Sequence, residues 1–99
     1  MADFAATALA AIQLLRTGSI TAIQLVATGA EAAIQQADSV AAVAAIHHAA
    51  VEAVTAIQHA GVEAVTAIVS GSPIVEVAND YSVTIVAIFE QLDAAFAGE

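Results

Sequence analysis

Two His–Glu pairs are the part of this sequence best equipped for chemistry. His48 is followed four residues later by Glu52, and His59 by Glu63, with His47 beside the first pair. On a helix, residues four apart meet across one turn, and a neighbouring carboxylate favours the protonated form of an imidazole. His48, Glu52, His59 and Glu63 are therefore candidates for a pH-sensitive seam. The plainer reading, two solvated polar pairs inherited from one duplicated unit, is favoured. As metal ligands the pairs fall short: eleven residues of helix separate them by about 16 Å, and catalytic zinc takes three protein ligands around one centre. Three histidines without a supporting motif make no haem or chlorin site either. No metal and no cofactor are expected.

Other chemistry is sparse. The chain has no Cys and no Lys, and Arg16 is its one basic residue. Cysteine nucleophiles, Schiff bases and disulfide scaffolds are excluded outright. Ser70 and Ser72 lie in a Gly-containing turn without the GxSxG surroundings of a nucleophile elbow. Asp80, Glu90 and Asp93 read as solvated helix positions. The expectation is a protein that is not an enzyme.

The elements that must position the pairs follow an eleven-residue repeat. Aligned on Ala-Ile, units begin at Ala11, Ala22, Ala33, Ala45, Ala56 and Ala67, with Ala44 inserted once. Nine of the ten residues from His48 to Ile57 recur identically from His59 to Ile68. Eleven residues over three turns lie close to the natural helical period, so such a helix stays nearly straight. Val54, Ile57, Gly61, Val65 and Ile68 form one stripe, and Glu52, Thr55, His59, Glu63 and Thr66 form the opposite one.

Breakers set the predicted boundaries. A first helix is expected over 1–17, ended by Gly18 with Ser19 capping the next. A repeat helix follows over 19–69, with candidate breaks near 29, where Thr28 and Glu31 have capping-box spacing, and near 38. Ser70-Gly71-Ser72-Pro73 is the firmest stop, with Ser72 as N-cap and Pro73 at the first helical position. Over 73–97 two patterns compete. Ile74, Ala78, Tyr81, Ile85, Ile88, Leu92 and Phe96 make a helical stripe, while Ile74–Val77 and Ser82–Val86 are rich in β-branched residues and Asn79-Asp80 suits a turn. Helix is favoured because its stripe covers more of the segment and carries Tyr81, Leu92 and Phe96. The predicted fold is all-α, a single assembly domain over 1–99. A long Ala-rich repeat helix takes a shorter helix folded back after Pro73, and lateral packing in an oligomer or polymer completes the core.

Composition supplies the motive for packing. Of 99 residues 61% are hydrophobic, but 28 are Ala, so little large apolar surface is available for a core. A chain of this length buries only about 60–65% of its unfolded surface when alone. The assembly seam is assigned to Val54, Ile57, Gly61, Val65, Ile68, Ile74, Tyr81, Ile85, Ile88 and Leu92. Its partners are copies of the same chain.

Charge removes further classes. Ten acidic residues against one basic residue give a formal charge of −9, the opposite of a phosphate-backbone binder. No nucleic-acid partner is expected. The acidic Met1-Ala2-Asp3-Phe4 lacks the basic start of a secretory signal, and the compartment stays unassigned beyond synthesis in the cytoplasm. Charge-free segments run from Thr17 to Ala30, Ser39 to Val51 and Ala64 to Val75. Each is shorter than the roughly 18–20 residues that cross a bilayer, so no transmembrane span is expected, and charge disfavours an anionic lipid surface.

The leading expectation is a structural protein that self-assembles into a filament, ribbon or sheet, with a geometry that responds to pH. The first alternative is an amphipathic coat on lipid or on a hydrophobic inclusion. In period alone the repeat resembles those of exchangeable apolipoproteins and synucleins, which edge their apolar faces with Lys; this chain has none. A designed helical protein without natural function is the second alternative.

Overall fold

The computed structural model describes residues 2–97, with side chains from Phe4 onward. Met1, with which the predicted first helix and domain begin, and Gly98 and Glu99, with which the domain ends, lie outside the described residues. Within them the chain is all-helical and has no strand: α1 is Ala2–Gln36, α2 is Val40–Val69 and α3 is Ile74–Phe96.

Alanine is the best helix former, and it carries α1 through both glycines at which breaks were expected. The predicted stop at 17–19 and the candidate break near 29 are absent. Both glycines face aromatic rings of α3 instead, and only Gly29 marks a close approach. A methyl at Gly18 would lie 3.9 Å from the Tyr81 ring, and one at Gly29 only 3.2 Å from the Phe96 ring. Thr28 does not cap a new helix; its hydroxyl donates back to the Gln24 carbonyl at 3.0 Å, the usual bond of a threonine inside a helix.

The break near 38 is present. Ser39 is extended (φ −154°, ψ 159°), and its hydroxyl oxygen accepts from the Ala42 backbone N–H at 3.0 Å, a side-chain N-cap. At its other end α2 closes around Gly71, which adopts φ +98°. The Gly71 N–H donates to Ile68 and the Ser72 N–H to Ala67, the paired bonds of a Schellman motif, which needs a left-handed residue at that point. This closure shifts the predicted restart by one residue. Ser72 belongs to the end of α2, and Pro73 takes the N-cap position without a side-chain cap. Its fixed φ, here −58°, suits the entry to a helix. The β-branched segments after it are helical; the 4-3-4 stripe outweighs local strand propensity because it delivers Ile74, Tyr81, Ile85, Ile88, Leu92 and Phe96 to the other helices, with Val77 buried beside them where the stripe named the exposed Ala78.

The helices run up, down and up. Tyr81 lies against Gly18 and Phe96 against Gly29, so α3 is parallel to α1, with α2 antiparallel to both. One core cluster joins Ala22 and Val26 to Ala53, Ile57 and Leu92. A second joins Leu15 to Ala64, Ile68 and Val77. Between them the Ser19 and Tyr81 hydroxyls share a hydrogen bond of 2.5 Å. The bundle measures 57 × 18 × 14 Å, with a radius of gyration of 16.0 Å; a compact globule of this length has about 13 Å. Its accessible surface, 6485 Å², exceeds the roughly 5,200 Å² expected for a compact 9.8 kDa chain. Slender helices with alanine cores leave much apolar surface outside.

Candidate functional site

The two His–Glu pairs meet as their spacing implies. His48 Nε2 lies 2.6 Å from Glu52 Oε1, and His59 Nε2 lies 2.6 Å from Glu63 Oε1. All four side chains are about 70% exposed or more, so water screens each pair and its contribution to stability is small. His47 is exposed as well. Among the described residues no three His, Asp or Glu side chains converge on a point where a metal ion would sit.

The stripe expected to face other copies packs inside the chain. Ile57, Ile68 and Leu92 are buried. Val54, Ile85 and Ile88 pack against the first core cluster, and Val65, Ile74 and Tyr81 against the second. Gly61 admits α1 closely: a methyl there would lie 3.0 Å from Ser19 Oγ. The assembly seam assigned from sequence is therefore the intramolecular interface, a correction with a simple cause. Helical period identifies the most apolar face, and α1 and α3 pack on that face.

What remains outside is still apolar. Leu14, Val40, Val69 and Val75 are among the most exposed large side chains, at 72–87%. Two grooves flank α2. The one between α1 and α2 has a volume of about 390 Å³ and is lined by Leu15, Arg16, Ile20, Ile23, Val62 and Val65 among others. The one between α2 and α3 has about 340 Å³, floored by Ala56, Ala60 and Ala64 and rimmed by His59, Glu63 and Asp80. Asp80 is exposed, as its reading as a solvated helix position implies, and it also borders this groove. That place on a groove has no signal in the sequence, because the partner wall belongs to a different helix. Glu90 and Asp93 are exposed.

The expectation that excluded a transmembrane span is overturned by length and composition. Phe4–Gln36 and Val40–Val69 are each long and apolar enough to cross a membrane, and only 17% of either qualifying window is buried in the bundle. Counting charge-free segments divided α1 at Arg16 and α2 at Glu52 and Glu63. Unbroken helices of 35 and 30 residues carry their apolar character past those single charges. Compared with protein-family models, curated proteins and solved structures, the chain matches none.

Proposed function

We propose that the chain is a structural, non-catalytic protein that associates side by side with copies of itself into a filament, ribbon or sheet. One observation carries this reading: large apolar side chains remain outside the bundle in rows with the period of the sequence repeat. Leu14 and Leu25 lie eleven residues apart, as do Leu9 and Ile20, Val75 and Val86, and the run Val40, Val51 and Val62. Each is between 50% and 87% exposed. Eleven residues rise about 16.5 Å on a helix, so the rows present apolar steps at one spacing on all three helices. Burial of such a side chain yields about 1.5–3 kcal/mol, and repeated steps let neighbouring copies pack in register.

The balance of charge acts against this. At −9 per copy a polymer repels itself, and salt screens the repulsion. Assembly of the purified full-length chain should therefore begin at a lower concentration in 0.5 M than in 0.05 M sodium chloride. The test is sedimentation velocity across both salt concentrations. A single small species at every protein concentration and both salt levels would refute the reading.

A second reading rests on the two span-length helices. The antiparallel pair α1–α2, joined by only Ala37-Asp38-Ser39, has the form of a helical hairpin that crosses a bilayer twice. It would hold Arg16, Glu52 and Glu63 at depth, where ionisable groups face protein or water rather than lipid. Fractionation separates the readings: an integral hairpin stays with membranes through carbonate extraction, whereas an assembly formed in water sediments without lipid.

A further inference from the structure

The two grooves beside α2 lie at one level along the bundle and carry opposite charge. Gly61 and Val62 border the α1–α2 groove, and Ala60 and Glu63 border the α2–α3 groove. Ser19, which lines the first, shares its hydroxyl hydrogen bond with Tyr81, which lines the second. Arg16, the one basic residue of the chain, sits on the first groove, and among the described residues it forms no ion pair. Glu63 and Asp80 rim the second together with His59, whose imidazole pairs with Glu63 and leaves Asp80, among the described residues, as the unpaired carboxylate of this rim.

We infer that the α1–α2 face of one copy docks on the α2–α3 face of the next, side by side without axial shift, with Arg16 of one copy facing Asp80 and Glu63 of its neighbour. The inference rests on the self-assembly reading and names the two surfaces that meet. The shapes complement each other as the charges do. Ile20 and Val62 stand exposed beside the first groove, while the second is floored by alanines that leave room for a ridge of larger side chains. The apolar contact supplies affinity, and the single Arg–carboxylate meeting fixes register. Because the two faces differ, the contact is head-to-tail. Every added copy presents a fresh groove of each kind, and growth continues into an open polymer or a ring.

Charge reversal tests this against the simple effect of net charge. Asp80→Arg reduces the negative charge of each copy, so general repulsion alone predicts easier assembly. The docking predicts the reverse: Arg16 now meets a second cation, and the concentration at which assembly begins rises about tenfold. Arg16→Glu raises it as well. The double variant Arg16→Glu/Asp80→Arg keeps the native net charge and brings assembly back near the wild-type concentration. The readout is sedimentation velocity of the full chain at low salt, with circular dichroism confirming that each variant is as helical as the wild type. If wild type assembles and Asp80→Arg assembles equally well or better, the docking is wrong while self-assembly stands. The same holds if the double variant is not restored. If wild type does not assemble, the self-assembly reading fails and the docking with it.

Discussion

Ile57 and Val62 lie five residues apart on α2 and meet opposite surroundings. Ile57 is fully buried between α1 and α3, while Val62 is 65% exposed. Both belong to the eleven-residue pattern, since Ile46 and Val51 precede them at that spacing. The inner row is satisfied by the chain's own helices, and the outer row is not. The repeat therefore supplies more apolar faces than three helices can cover. This excess distinguishes the chain from a bundle whose outward positions are uniformly polar, and it motivates assembly.

Substitutions that treat the two rows alike should give unequal results. Ile57→Ala empties a fully buried site, and is expected to cost about 2–5 kcal/mol, read as a drop in denaturant midpoint. Leu14→Gln with Leu25→Gln alters two exposed positions. Helicity is expected to be kept, while the concentration needed for assembly rises at least about tenfold, or about 1.4 kcal/mol, in sedimentation. Equal loss of stability from both changes would break the distinction between the rows.

Smaller effects sharpen it. Gly18→Ala replaces a glycine inside α1 at a place where the new methyl makes ordinary contact with Tyr81. It is expected to stabilise the fold by about 0.5–1 kcal/mol; destabilisation by thermal melting would show that the helix needs its glycine there. His59→Ala removes an exposed pair and should change stability by no more than about 0.5 kcal/mol. Beside Ile57→Ala, it measures how little the polar ridge of α2 contributes to the monomer.

Several features were legible in the sequence because their cause is local. Pro73 and Gly71 dictate a stop and restart by backbone geometry alone. The candidate break near 38 is real, and the structure adds its cause, the Ser39 hydroxyl reaching three residues ahead to cap α2. His48 and His59 meet their carboxylates because one helical turn brings them together. The features that were not legible depend on other helices. Gly18 and Gly29 carry the residue type of a helix end, yet α1 runs through both, and Tyr81 and Phe96, more than sixty residues away in sequence, pack against them. The stripe through Ile57 and Ile68 has the same spacing whether its partner is α1, α3 or another copy, so periodicity alone named the face and left its occupant open. Asp80 joins His59 and Glu63 only once α3 lies along α2.

The most direct measurement is sedimentation velocity of the purified full-length chain over a hundredfold concentration range, without lipid or detergent, with negative-stain microscopy of the fastest fraction. Large species that grow with concentration and form regular filaments, ribbons or sheets are expected. A helical monomer whose sedimentation is the same at every concentration would rule out self-assembly.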